Sequence, residues 1–373
     1  MRQRGIDPVI HSLWRGEKTW EGIPIQRFKL IELGKLLFYI PYWTWKKPAE
    51  MSHALGVILY SKPPCLTNIG ETLLGLAYGL IYARRFKKSH FDLCHAVWAT
   101  MPASAAWLMH QLTGQRYSMG AHAFDVFRHG GDWLLRAKLQ DACLIHTSTI
   151  AARRHLIKMG ADRKRTVIIR RGLDHFTDCK TALPDADCLR LVSIGRTVPK
   201  KGYLRQLAIY RALADAGIPF EARIAGSGSM LKKLEGRQYA LGLQDKVHFL
   251  GKQNSAAIDQ LYAWGDYFLF TGEVAACGDR DGLPNVIPEA MAAGLIVLTT
   301  PMAGAMEAIK QDQTGIVLSS HKPRAWVETL EALRKDPQRL LRLRQQARQW
   351  VETRFCAHRN ARTLAQALER AIR

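Results

Sequence analysis

The sequence predicts an α/β protein made of two doubly wound, Rossmann-like domains. Three observations carry that prediction. The chain has 373 residues, about two domains' worth, because single cores stop growing near roughly 250–300 residues. Short apolar runs alternate with helical spacers, the pattern of a parallel sheet covered by helices on both faces. The alternation lapses once, between Thr177 and Asp187 (TDCKTALPDAD), a polar stretch holding Pro184 that reads as a linker. Composition agrees: 47% hydrophobic and 23% charged residues exclude a disordered chain, a coiled coil and a collagen-like repeat.

The elements follow in order. In the second half, Leu189–Ile194 is a strand closed by Gly195, and a Leu- and Ala-rich helix runs from Tyr203 to Ala216. Phe220–Ile224 is a strand closed by Gly226-Ser227-Gly228; Val247–Leu250, Tyr267–Phe270 and Ile296–Thr299 repeat the theme, with a helix over Val286–Ala293. The first half carries strands at Leu93–Ala96, Tyr117–Ala121, Leu144–Thr147 and Thr166–Ile169, with a helix at Pro102–Leu112. The chain reads as helix from Pro337 to its end. The expected division is an N-terminal domain over 1–176, a linker over 177–187, a C-terminal domain over 188–350 and a closing helix over 351–373 that crosses back to the first domain. Met1–Asp7 reads as the tail of a helix running into a strand at Pro8–Leu13. The N-terminal domain is therefore expected to lack its first strand and helix, roughly 20–25 residues, unless the domain begins elsewhere.

Charge and cysteine usage narrow the class. Lys plus Arg is 54 against 32 acids, a net +22, a field that attracts polyanions: nucleic acid, anionic headgroups or phosphorylated small molecules. The seven cysteines are scattered, with no CxxC pair, and read as reduced thiols of a cytoplasmic protein. The longest apolar run, Thr72–Ala83, is shorter than the roughly 18–20 residues that cross a bilayer. No apolar core follows Met1-Arg-Gln-Arg-Gly, so no signal peptide is expected. The aromatic, lysine-flanked stretch Leu36–Lys47 (LLFYIPYWTWKK) has two readings, an interfacial segment resting on an anionic membrane or a segment buried in the N-terminal domain or its acceptor groove. The run Arg84–Lys88 adds to the first.

The residues that carry chemistry sit mostly in the second half. Asp281-Gly282-Leu283-Pro284-Asn285-Val-Ile-Pro-Glu289 follows a strand and a glycine-bearing loop, then enters a helix. Backbone N–H groups at such a helix start suit a phosphate or a sugar hydroxyl, and two acids flanking it can accept O–H hydrogen bonds. Arg196 and Lys201 come just past a strand, where the cleft should open. Two doubly wound domains predict a ligand cleft at their strand C-termini.

The stretch from Asp281 to Glu289 resembles the E-x7-E signature of the family 4 (group 1) retaining glycosyltransferases, with Asp281 in place of the first Glu. Ser193-Ile-Gly-Arg196-Thr-Val-Pro-Lys-Lys201-Gly202, Ala225-Gly226-Ser-Gly228, Val247–Gly251 and Thr300–Glu307 resemble further family segments in the right order. His95–Thr100 and Gly120-Ala-His122-Ala-Phe-Asp125 resemble a branch that builds exopolysaccharides. The resemblance implies the GT-B architecture, with a C-terminal domain that binds a nucleotide sugar and an N-terminal domain that binds the acceptor. It implies Arg196 and Lys201 on the donor diphosphate, Gly228 and Gly282–Asn285 around the donor, Glu289 on the ribose, Asp281 on the hexose and His122 near the transferred sugar. It also implies retention of anomeric configuration. No metal or other cofactor is expected, only the nucleotide sugar as co-substrate, because cations are built in. The pair Asp185-Ala-Asp187, of a type that chelates metal in a different glycosyltransferase fold, lies in the linker. The implied partners are a saccharide or lipid-linked saccharide acceptor and the inner face of the cytoplasmic membrane. Three rivals remain: a nucleotide-sugar epimerase or phosphorylase on the same two-domain plan, an inactive fragment should the first strand be missing, and a basic nucleic-acid-binding protein. No zinc-finger spacing or RNP-like strand supports the last, and no nucleic acid is expected as a partner. A G-x-S-x-G elbow is also absent, so a serine-hydrolase reading finds no support.

Overall fold

The computed structural model describes residues 6–14, 16–176, 178–184 and 187–372. Most of the helix tail expected at Met1–Asp7 lies outside the described residues, as do Thr177, Asp185 and Ala186 of the expected linker and its D-x-D pair. The chain forms two compact units, one of residues 1–169 with 361–373 and the other of 170–360.

In the first unit, β1 (Ile10–Ser12), β2 (Thr19–Trp20) and β3 (Ile23–Arg27) form a small sheet of their own, in the order β1-β3-β2. The strand expected at Pro8–Leu13 is thus three residues long and pairs with β3, outside the main sheet. Three helices follow, α1 (Leu36–Lys46), α2 (Pro48–Tyr60) and α3 (Leu66–Lys88). The apolar run Thr72–Ala83 is the middle of α3, most of it buried. The alternating part is β4 (Cys94–Ala96), α4 (Met101–Thr113), β5 (Tyr117–Gly120), α5 (Phe124–Phe127), α6 (Leu135–Asp141), β6 (Leu144–Thr147), α7 (Ile150–Lys158) and β7 (Thr166–Ile168). Its four strands are parallel, in the order β4-β5-β6-β7. Small residues let α3 lie directly on α4: a Cβ added at Gly75 would stand 2.3 Å from the carbonyl oxygen of Met101.

The second unit runs β8 (Leu189–Ile194), α8 (Tyr203–Asp215), β9 (Phe220–Ala225), α9 (Leu231–Ala240), β10 (Val247–Gly251), α10 (Ser255–Trp264), β11 (Tyr267–Phe270), α11 (Val286–Ala293), β12 (Ile296–Thr299), α12 (Ala303–Ala308), β13 (Ile316–Val317), α13 (Pro323–Arg334) and α14 (Pro337–Arg354). The sheet is parallel, in the order β10-β9-β8-β11-β12-β13. Strands β11 and β12 are buried at every residue, as short unbroken apolar runs in a doubly covered sheet must be. The order reverses between β8 and β11. Ligands of open parallel sheets bind at that reversal, outside the strand C-termini.

Residues 178–184 of the expected linker pack on this unit. The Lys180 ammonium meets the Asp266 carboxylate at 2.6 Å, and Arg344 donates to the carbonyl of Ala182 at 2.7 Å. The helix expected from Pro337 onward is broken once, at the buried Phe355, and resumes as α15 (Ala357–Ile372). There the chain bridges to Leu173, whose N–H donates to the Phe355 carbonyl and whose carbonyl accepts from Ala357. Residues from 361 onward belong to the first unit, where Arg116 donates to the carbonyl of Ile372 at 2.7 Å.

Candidate active site

The turn after β8 and the turn after β9 interlock. Gly195 donates to the Ala225 carbonyl at 2.9 Å, and Thr197 donates to the Ser227 carbonyl at 3.1 Å. Gly226 adopts φ +141, and a Cβ there would stand 1.9 Å from the Gly195 carbonyl oxygen; only glycine lets the turns approach so closely. Gly228 faces the backbone of Thr197, where a Cβ would lie 2.6 Å from the carbonyl oxygen. The predicted residue Arg196 stands exposed on the first of these turns.

From the other side of the strand-order reversal comes the loop after β11. Its Asp281 carboxylate takes the Lys201 ammonium at 2.6 Å and stands 3.5 Å from that of Lys200. Lys200 also pairs with Asp279 at 3.1 Å. All four side chains are largely shielded, between 7% and 17% exposed, where charge pairs act through less water than at the surface. Lys201 in addition lies 5.0 Å from the centre of the Phe270 ring. The second cation, Lys200, was not among the predicted site residues, although KK at 200–201 is visible in the sequence.

Gly282, Leu283 and Pro284 continue from Asp281, and the backbone of Gly282 is held against the start of α12: a Cβ at Gly304 would stand 1.2 Å from the Gly282 carbonyl oxygen. Asn285 is the exposed N-cap of α11. Glu289 lies in the first turn of α11, where its carboxylate accepts from the Tyr262 hydroxyl at 3.1 Å. Burial raises the Glu289 carboxyl above its usual range; the Tyr262 hydrogen bond opposes this and the charge of Asp259 adds to it. Tyr262, on α10, is a partner that no local motif marks.

His122 belongs to the first unit, two residues past β5. Its backbone N–H donates to the Asp125 carboxylate at 2.9 Å, and Ala99 donates to the other oxygen at 3.1 Å, so the buried Asp125 ties the loops after β4 and β5 together. Desolvation raises the Asp125 carboxyl despite those hydrogen bonds. The His122 ring lies 5.3 Å from that of His146 and 5.2 Å from Trp98, and His146 stacks on His95 at 5.3 Å. Burial lowers His95 to about 4, so this ring is neutral at physiological pH. His95 and His146 were missed as neighbours of His122. Their signal is a histidine in or just past each of three adjacent strands, β4, β5 and β6. Among the described residues no three His, Cys, Asp or Glu side chains converge as a metal-binding group.

A second polar cluster lies nearby in the same unit. The fully buried Lys138 ammonium pairs with Asp132 and donates to the Ala99 carbonyl at 2.7 Å and the Ser104 hydroxyl at 3.1 Å. Asn68 donates to Asp132 at 2.5 Å and accepts from the Trp133 backbone at 2.7 Å. Above this network is a small pocket lined by Asn68, Glu71, Thr100, Asp125 and Arg128. Glu71 is raised by burial and by the charge of Asp132.

Two parallel-sheet units, the second with cations and carboxylates gathered at its strand-order reversal, define the GT-B class of fold. The solved structures similar to this chain agree. HepE of Anabaena, in complex with UDP-glucose, matches with a TM-score of 0.62 and 19% identity over 78% of this chain and 82% of that one. The sucrose-phosphate synthase of Thermosynechococcus elongatus matches at 0.66 and 17%, over 80% and 78%. Residues 181–350 match the family described as glycosyl transferases group 1. The amylovoran biosynthesis glycosyltransferase AmsK of Erwinia amylovora is 30% identical over 328 residues, 83% of this chain and 79% of that protein. The chain belongs to the group 1 glycosyl transferases. WcaL of Escherichia coli (strain K12), whose name places it in colanic acid biosynthesis, is 30% identical over 177 residues, 47% of this chain, which therefore spans less than half, 43%, of that relative's length.

Proposed function

We propose that this protein transfers a hexose from a nucleotide-sugar donor to a saccharide or lipid-linked saccharide acceptor, with retention of anomeric configuration, in the synthesis of a cell-surface or exopolysaccharide. The observation that carries the reading is the group of Lys200, Lys201 and Asp281 at the strand-order reversal of the second unit. Breaking the bond at the anomeric carbon leaves negative charge on the donor diphosphate. Cations already oriented there stabilise the charge as it develops, which lowers the barrier more than binding the ground state would. In this reading Arg196 and Lys201 hold the diphosphate, and Lys200 keeps Asp281 neutralised while Lys201 turns to the phosphate. Glu289 accepts hydrogen bonds from the ribose hydroxyls, Asp281 from the hexose, and Gly228 with Gly282–Asn285 offers backbone close to the donor.

The first unit takes the acceptor, with His122 beside the transferred sugar. Attack on the same face as the departing diphosphate, guided by the leaving phosphate oxygen, gives retention without an enzyme nucleophile. The built-in cations do the work of a metal, so the reaction runs without one. The relatives' names in amylovoran and colanic acid synthesis support the exopolysaccharide assignment, and the UDP-glucose held by HepE supports a nucleoside diphosphate sugar as donor. The enzyme works at the inner face of the cytoplasmic membrane.

The test is thermal-shift screening against UDP-, GDP- and ADP-sugars, followed by turnover with the best donor in EDTA. A donor at a hundredfold excess over Kd adds about 2.7 kcal/mol of stability, a shift of several degrees. Interconversion of the donor sugar without acceptor would make the protein an epimerase. Affinity for nucleic acid that falls steeply with salt, with no nucleotide-sugar shift, would overturn the reading, and loss of activity in EDTA would overturn its metal-free part.

A further inference from the structure

Helix α1 has the sequence LLFYIPYWTWK, apolar around most of its circumference, yet only Trp43 is fully buried, with Tyr39 and Tyr42 partly covered; α2, nearly as apolar, fully buries only Ala54, with Met51, Val57 and Ile58 partly covered. A helix hydrophobic on every side belongs inside a core or against something else apolar. Eleven of the twenty-five exposed large apolar side chains among the described residues fall between Leu30 and Leu73, about a ninth of the chain. Leu37 is 86% exposed, Trp45 79%, Leu59 72% and Tyr60 93%. Apolar surface gathered in this way marks an interaction site.

The charge around it selects the partner. Between residues 29 and 62 there are five lysines and two acids, and both acids are already paired, Glu32 with Lys35 at 2.8 Å and Glu50 with Lys47 at 2.6 Å. The basic end of α3 adjoins: the Arg84 guanidinium lies 5.6 Å from the centre of the Tyr42 ring on α1. A second copy of the chain fits poorly, because a two-fold interface sets the same patch against itself and so places lysines against lysines. Aromatic and aliphatic side chains fringed by lysine and arginine suit an anionic bilayer surface, where the apolar groups enter the acyl boundary and the cations meet headgroups.

We propose that the α1–α2 face of the first unit docks this protein on an anionic membrane. Cys65 and Thr67 line the pocket above Asn68, and between them Leu66, 86% exposed and six residues past the end of α2, continues the run of exposed apolar side chains. The pocket therefore opens beside the docked surface, where the head of a lipid-linked acceptor lies. This last step rests on the proposed transferase reading; docking itself does not.

The experiment is flotation of the full chain with phosphatidylcholine vesicles and with vesicles of phosphatidylcholine and phosphatidylglycerol at 7:3, without nucleotide sugar. Wild type floats with the anionic vesicles. The triple variant Leu37→Ser, Trp45→Ser, Leu59→Ser, unchanged in charge, binds at least tenfold more weakly. Lys46→Gln with Lys62→Gln binds several-fold more weakly, while Lys232→Gln with Lys233→Gln, an equal charge loss on α9, binds as wild type. Circular dichroism and unfolding curves check that every variant is folded. Undiminished binding by the triple variant, or equal weakening by the α9 variant, would reduce the effect to overall charge and overturn the proposal. So would a vesicle-free dimer, seen by light scattering, that the triple variant dissolves. A protein that floats as described but binds no nucleotide sugar would refute the transferase reading and leave the docking face standing.

Discussion

Removing the two partners of the Lys201–Asp281 pair should have unequal consequences, and the inequality tests the geometry of the candidate donor site. Asp281 faces two ammonium groups, Lys201 at 2.6 Å and Lys200 at 3.5 Å, whereas Lys200 has a second carboxylate, Asp279, at 3.1 Å. In Lys201→Ala the Asp281 carboxylate keeps Lys200 as its counter-charge. In Asp281→Ala the Lys201 ammonium, 12% exposed, loses its carboxylate beside a second cation. Breaking a fully buried pair from one side costs about 3–5 kcal/mol. With each side chain retaining some water, we expect about 2–3 kcal/mol for Asp281→Ala and about half that for Lys201→Ala. For a unit of this size each kcal/mol moves Tm by about 2–4 °C, so the two variants should differ by several degrees. Differential scanning calorimetry of the whole chain, with urea unfolding at fixed pH, reads the difference. Lys201→Ala at least as destabilising as Asp281→Ala would refute the account. So would an Asp281→Ala variant as stable as wild type. With a donor present the order should reverse for affinity: Lys201→Ala loses a charged partner of the diphosphate, typically about 1.5–3 kcal/mol.

Three further outcomes follow from other contacts. Burial raises the Glu289 carboxyl from the usual 4.5; an acid raised on folding contributes stability that is complete below its unfolded pKa and is lost as pH rises through the folded value. Glu289→Gln removes that loss, so its Tm relative to wild type should improve from about pH 4.5 toward neutrality while donor affinity falls; a difference flat with pH would refute it. Gly304→Ala would drive a methyl group into the Gly282 carbonyl and should cost about 3 kcal/mol or more, whereas Gly236→Ala, on α9 with open space around it, should gain about 0.5–1 kcal/mol, both read by urea unfolding. Lys138→Met leaves the buried Asp132 without its cation and should cost about 3–5 kcal/mol, part of which Asp132→Asn in the same chain restores in the same assay.

The strands were legible because their signal is local. A run such as YFLF at 267–270 or IVL at 296–298 is apolar at every residue, and a doubly covered sheet buries both faces of such a strand. The glycine turns after β8 and β9 were legible for the same reason, as was the order of segments from Ser193 to Glu307 that marks the family. What the sequence could not contain is which side chains the strand order brings together. Lys201 meets Asp281 eighty positions away, because β8 and β11 are neighbours in the sheet. Tyr262 reaches Glu289 from a helix that precedes β11, and His95, His122 and His146 gather because β4, β5 and β6 lie side by side. The apolar string LLFYIPYWTWKK reads identically whether it fills a core or faces outward. Tertiary packing left much of it exposed: α3 and α4 close on each other through Gly75 and Gly79, and of α1 and α2 only Trp43 and Ala54 are fully buried in the core, with Tyr39, Tyr42, Met51, Val57 and Ile58 partly covered against it.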